Sequence, residues 1–129
     1  MKRRKIRSLS VSEIGMGCMG FSHGYGQVPD AGYAEEAIRE AFGYGCNFFD
    51  TAEGYGKELY YPGHNEEIVG RAVRGFRNEV VIATKLHIQP ETVEDCGSVY
   101  AAVRRHLERS LKNLQTDYVD LYYLHRINM

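Results

Sequence analysis

Four residues of this chain could do chemistry together: Asp50, Tyr55, Lys85 and His125. Three of them close apolar runs. Cys46 to Phe49 ends in Asp50, Val80 to Thr84 ends in Lys85, and Tyr118 to Leu124 ends in His125. Tyr55 lies just beyond the first of these, in NFFDTAEGYG, residues 47–56. Singly, each has an ordinary explanation: an Asp that forms a turn, a Lys whose stem snorkels to water, a satisfied His, one of ten tyrosines. Together they form an acid–base set. A free phenol titrates near ~10, and a neighbouring ammonium favours its phenolate. Lys85 can supply the ammonium and Asp50 can hold it, because a buried lysine needs a partner. Tyr55 can then give a proton to a developing alkoxide. His125 can hydrogen-bond the same oxygen and orient a carbonyl. None of the four can deliver a hydride, so the chemistry calls for a cofactor.

This set works only if the three run ends share one edge, and the pattern of elements provides that. Ser12 to Met16 is a short run ending in the glycine-rich GMGCMG, residues 15–20. Tyr33 to Tyr44 carries apolar residues at 34, 37, 38, 41 and 42, the stripe of a helix, with Gly45 placed to end it. Asn65 to Arg74 reads as a second helix, with Asn65 as its cap and Glu66 and Glu67 in its first turn. Val80 to Thr84 is almost unbroken β-branched sequence, as expected for a strand covered on both faces. Leu86 to Gly97 reads as a loop around Pro90. Ser98 to Leu114 reads as the longest helix, capped by Ser98, with Val99, Val103, Leu107, Leu111 and Leu114 as its buried stripe. Tyr118 to Leu124 is a fourth strand. Strands separated by helices imply parallel pairing with right-handed crossovers. In such α/β folds the C-terminal strand ends form one edge, where the site is built.

The totals narrow the class. The chain has 129 residues, 43% hydrophobic and 26% charged, with a net charge of −1. No run approaches the ~18 apolar residues of a membrane span. The cluster Lys2 to Lys5 has no apolar segment after it and no second basic patch to support it. It reads as a solvated tail rather than a nucleic-acid arm. Cys18, Cys46 and Cys96 are odd in number and widely spaced, which suits reduced thiols in a cytoplasm better than a disulfide framework or zinc site. The five histidines show no metal-ligand spacing, so no metal is expected.

Five segments resemble the aldo-keto reductase family in order: SEIGMGCMGFS (12–22), NFFDTAEGYG (47–56), PGHNEEIVGRAV (62–73), VVIATKLH (80–87) and VDLYYLHRIN (119–128). The resemblance implies a (β/α)8 TIM barrel and NADPH-dependent reduction of an aldehyde or ketone to an alcohol. The family's tetrad carries over onto Asp50, Tyr55, Lys85 and His125. Tyr55 is then the proton donor, Lys85 tunes it, Asp50 supports Lys85, and His125 positions the carbonyl. The turn after the first strand carries over as the nicotinamide's neighbour, which gives Gly17, Cys18 and Met19, with Asp50, as cofactor-binding residues. The loop insertion KELYY, residues 57–61, lies near the expected substrate mouth.

A complete barrel takes about 250 residues. Residues 1–129 are therefore expected to be the first half of the barrel domain, about four parallel strands and three helices, incomplete after strand four. Barrel phosphate sites commonly come from the loops after strands seven and eight, so the fragment is expected to be inactive alone and to self-associate or pair with a C-terminal half. The alternative is a non-catalytic half-barrel serving as a binding or accessory subunit. The expected partner is a small-molecule carbonyl substrate, with no nucleic acid and no membrane.

Overall fold

The computed structural model describes residues 1–24 and 26–127. It opens with an antiparallel hairpin, β1 (Arg3–Ile6) and β2 (Leu9–Ser12). A parallel sheet follows, made of β3 (Met16–Gly17), β4 (Phe48–Asp50), β5 (Val81–Leu86) and β6 (Leu121–Leu124), in that spatial order. The connections are α1 (Ala31–Gly43), α2 (His64–Ala72), and the pair α3 (Pro90–Cys96) and α4 (Val99–Leu114). Four parallel strands with helices on one side make a partial barrel.

The core lies between the sheet and its helices. Phe49 and Ile82 are paired across β4 and β5 and point to the helical side, where they join Ile38, Ile68, Val69 and Leu114. α2 crosses α4 closely at Gly70: a Cβ there would lie 2.5 Å from the Leu114 carbonyl oxygen. Caps follow local chemistry. Asp30 accepts from the Tyr33 N–H at 2.9 Å and Ser98 from the Ala101 N–H at 3.1 Å, each meeting an orphan donor of a first turn.

Several expectations are corrected. The basic cluster is solvated, as expected, but it is not a free tail: Arg3, Arg4 and Lys5 belong to strand β1. Asn47 staples its hairpin to the start of β4: its Oδ1 accepts from the Ser12 N–H at 2.6 Å and its Nδ2 donates to the Ser10 carbonyl at 3.0 Å. The hairpin thus sits at the end of the sheet opposite Asp50. The first parallel strand is only Met16–Gly17, because Ser12 belongs to β2. The segment after Leu86 holds a helix, α3, so the α-helices among the described residues number four. Pro90 starts it without losing a needed N–H. α2 begins at His64 with Gly63, at φ 94°, as its cap, so Asn65 is free for another task.

The largest shift is in α4. Its buried residues are Ala102, His106, Ser110 and Leu114: the first three lie one position from the expected apolar stripe, only Leu114 belongs to it, and Val99 is exposed. Two carboxylates, Glu53 and Glu66, lie beneath this face and draw its polar residues inward. His106 Nδ1 donates to Glu53 at 2.9 Å, and Asn113 Nδ2 donates to Glu66 at 3.1 Å.

Candidate active site

Asp50 ends β4, Lys85 is the fifth of six residues of β5, and His125 follows β6 directly. The register places Asp50 opposite Ala83 and Lys85 opposite Tyr123, so all three reach one edge. Past Asp50, the Thr51 N–H donates to the Ala83 carbonyl at 2.9 Å and the Glu53 N–H to the Lys85 carbonyl at 3.2 Å. The loop carrying Tyr55 is therefore folded back over the end of β5.

Lys85 is the hub. Its Nζ donates to Asp50 Oδ2 at 2.8 Å, to the Thr51 carbonyl at 2.7 Å and to the Tyr55 hydroxyl at 3.1 Å. An ammonium has three donors, and all three are used. The side chain is only 15% exposed, so the carboxylate partner is what makes its charge tolerable there. The Tyr55 and His125 rings meet edge to face, with centroids 5.5 Å apart. Burial holds His125 below the usual imidazole value, reinforced by the charges of Lys85, Arg126 and His87 and opposed by Asp50. It is therefore a neutral ring at neutral pH, able to donate one hydrogen bond. Tyr55 and His125 line a cavity of about 660 Å³ with Met19, His87 and Arg126.

The turn at the mouth is held from behind. The Cys18 N–H donates to the Asp50 carbonyl at 2.9 Å. Asn65 Nδ2 donates to the Cys18 carbonyl at 2.8 Å and to Ser22 Oγ at 2.9 Å, and Asn65 Oδ1 accepts from Thr51 Oγ1 at 2.6 Å. One buried amide thus joins the turn after β3 to the loop after β4. Cys18 is fully buried, which leaves Gly17 and Met19 to present surface. A Cβ on Gly17 would meet nothing within 4 Å, so open space lies beside Asp50. The 57–61 loop packs on α2: Tyr60 stacks on His64 with centroids 3.9 Å apart, and the Tyr61 hydroxyl donates to Glu67 at 2.6 Å.

Burial, aided by the Asp50 carboxylate, pushes the Cys18 thiol up to about 12. Thiolate is the reactive form. In the folded chain at neutral pH, a maleimide should therefore label half-buried Cys96 well before Cys18, which should react only on unfolding. Mass mapping of the labelled peptides checks this, and rapid labelling of Cys18 in the native state would contradict it.

The sequence named Asp50, Tyr55, Lys85 and His125, and the structure brings the four together. It missed Asn65 and Glu53 as supports. In sequence Asn65 reads as a helix cap, and Glu53 carries no signal that sets it apart within the NFFDTAEGYG stretch. Among the described residues no group of three or more His, Cys, Asp and Glu is placed to hold a metal ion, and no helix is long and apolar enough to cross a membrane.

Comparison with known proteins bears on the family and the fold. The profile of the Aldo/keto reductase family matches residues 13–129. The chain is 34% identical over 130 residues to the uncharacterized oxidoreductase YqkF of Bacillus subtilis, covering 97% of this chain and 39% of that protein. It is 38% identical over 131 residues to aldo-keto reductase yakc [NADP(+)] of Schizosaccharomyces pombe, covering 97% and 36% respectively. An aldo-keto reductase of Klebsiella pneumoniae, solved in complex with NADPH, superposes with a TM-score of 0.74 at 34% identity, covering all of this chain and 42% of that one. The chain thus spans about two fifths of the length of these relatives. With the family profile matching nearly the whole of it, the chain belongs to the aldo/keto reductase family.

Proposed function

We propose that these 129 residues form the N-terminal part of a barrel domain and supply the proton-transfer face of an NADPH-dependent carbonyl reductase. The observation that carries this reading is the three-way contact of Lys85 Nζ with Asp50, the Thr51 carbonyl and Tyr55. A carbonyl oxygen in the cavity would sit between the Tyr55 hydroxyl and the neutral His125 ring. His125 donates a hydrogen bond that orients it. Tyr55 releases its proton to the oxygen as negative charge develops there. Lys85 stabilises the phenolate left behind, and Asp50 balances Lys85 so that the site does not hold an isolated buried cation.

A bound nicotinamide nucleotide would supply the hydride. The residues present fit its nicotinamide end: Met19 lines the cavity, Gly17 pairs with Asp50 and has open space where a side chain would be, and buried Cys18 holds the turn. The three free cysteines suit a reducing compartment such as the cytoplasm. The substrate class is an aldehyde or ketone.

Because the chain matches about two fifths of its relatives, the test grafts it in place of the matching N-terminal segment of the Klebsiella enzyme. A folded chimaera that binds NADPH should oxidise it only when an aldehyde such as 4-nitrobenzaldehyde is present. Tight NADPH binding with no aldehyde-dependent oxidation would contradict the reading.

A further inference from the structure

Tyr55 lies between Gly54 and Gly56, the latter at φ 99°. Glycines give a loop little stiffness of its own, so the position of the phenol must be imposed from outside. Glu53, two residues before Tyr55, has the contacts to do so. Its N–H donates to the Lys85 carbonyl at 3.2 Å, and its carbonyl accepts from the Gly63 N–H at 2.8 Å. Its Oε1 accepts from the His87 N–H at 2.8 Å, and its Oε2 accepts from His106 Nδ1 at 2.9 Å. Lys85 is in β5, the strand that carries the ammonium, and His87 is the first residue past its end. Glu53 therefore holds the end of β5 by its backbone, the residue just past that end by its side chain, and α4 by a third contact.

The arrangement has a cost that a surface carboxylate would not bear. The Glu53 side chain is 19% exposed and that of His106 is 8% exposed. The Glu53 charge also adds to the effect of burial in raising Glu66 above the usual carboxylate range. His106 Nε2 is buried without a hydrogen-bond partner. A helix residue whose task was only to fill space would be better served by an apolar side chain. A pair held at this cost in the middle of α4 points to a geometric task.

We propose that Glu53 is a positioning residue for Tyr55. Docked on His87 and His106, its carboxylate fixes the 51–56 loop so that the Tyr55 hydroxyl stays within hydrogen-bond reach of Lys85. The catalytic consequence rests on Tyr55 being the proton donor, but the positioning itself can be read without turnover.

The test is NMR of the 129-residue chain with 13Cζ-labelled tyrosine, the Tyr55 signal being the one lost in Tyr55→Phe. In the native chain Lys85→Met should displace that signal, because it removes the ammonium 3.1 Å from the hydroxyl. Glu53→Gln keeps the size but presents an amide that can accept from only one of the two donors well. The Tyr55 signal should move or broaden in this variant, the other tyrosines should stay in place, and adding Lys85→Met should produce little further displacement. His106→Leu, which leaves the loop sequence intact, should act in the same direction more weakly. The proposal is overturned if Tyr55 keeps its native signal in both variants and still responds fully to Lys85→Met. It is equally overturned if both variants unfold by circular dichroism, since the pair would then be a general support. Failure of the carbonyl-reduction reading would show instead as an inactive chimaera with these signals unchanged.

Discussion

Replacing Tyr55 by Phe should lower carbonyl reduction by about 10²-fold or more in the chimaera with the Klebsiella enzyme, while leaving NADPH affinity nearly unchanged. The substitution removes a single oxygen. The ring keeps its edge-to-face contact with His125 and its place over the Lys85 ammonium, 4.7 Å from the ring centroid. What is lost is the transferable proton, and general acids contribute about 10²–10⁴ in rate. Lys85 keeps Asp50 and the Thr51 carbonyl as partners, so its charge stays compensated and the fold should survive. Steady-state kinetics alongside a fluorescence titration of NADPH separates the two effects. Retained turnover in Tyr55→Phe would remove Tyr55 from the proton-donor role.

The second large effect is on stability. Gly70→Ala should destabilise the chain by about 3 kcal/mol, the upper part of the range for overpacking. A methyl there meets backbone rather than a movable side chain: the Leu114 oxygen at 2.5 Å, its carbonyl carbon at 2.7 Å and its Cα at 2.8 Å. Relief requires α2 and α4 to move apart. α2 carries Asn65 and Glu66 into the buried polar contacts with Thr51 and Thr84, so the damage should spread to the site. Thermal melts followed by circular dichroism measure it. An unchanged midpoint would mean that the helices cross at a greater distance. Ala ordinarily favours a helix interior over Gly by about 1 kcal/mol, so the sign of the result is diagnostic.

The contrast between these two residues shows what the sequence could reveal. Asp50, Lys85 and His125 were legible because each breaks an apolar run at its C-terminal end, and parallel pairing brings such ends to one edge. Tyr55 was legible from its place beside Asp50 and from the resemblance. Gly70 was not, since a glycine inside a helical stripe carries no sign of what crosses it. Along α4 the inward face meets the Val and Leu stripe only at Leu114, because the stripe is a local property, whereas the inward face at His106 and Ser110 is set by Glu53 and Glu66, which arrive from distant segments. Glu66 itself looked like a first-turn residue complementing the helix dipole. It is in fact fully buried, accepting from Thr84 Oγ1 at 2.8 Å and from Asn113. The hairpin at Arg3–Ser12 escaped notice because β1 is exposed along its whole length and so has no buried face to pattern. Its hold on the domain is Asn47, whose amide reaches back thirty-odd residues. In sequence Pro90 reads as a loop former, although proline at a first helical position is equally common chemistry.

The central claim is that Asp50, Tyr55, Lys85 and His125 form a carbonyl-reducing face served by a nicotinamide hydride. Label transfer tests it most directly. The chimaera would be given NADPH deuterated at the transferable C4 position together with 4-nitrobenzaldehyde, and the product examined by mass spectrometry. The account predicts 4-nitrobenzyl alcohol carrying the deuterium on its carbinol carbon, in a one-to-one ratio with NADP formed. Alcohol without the label, or a folded, NADPH-loaded chimaera that forms no alcohol at all, would contradict it.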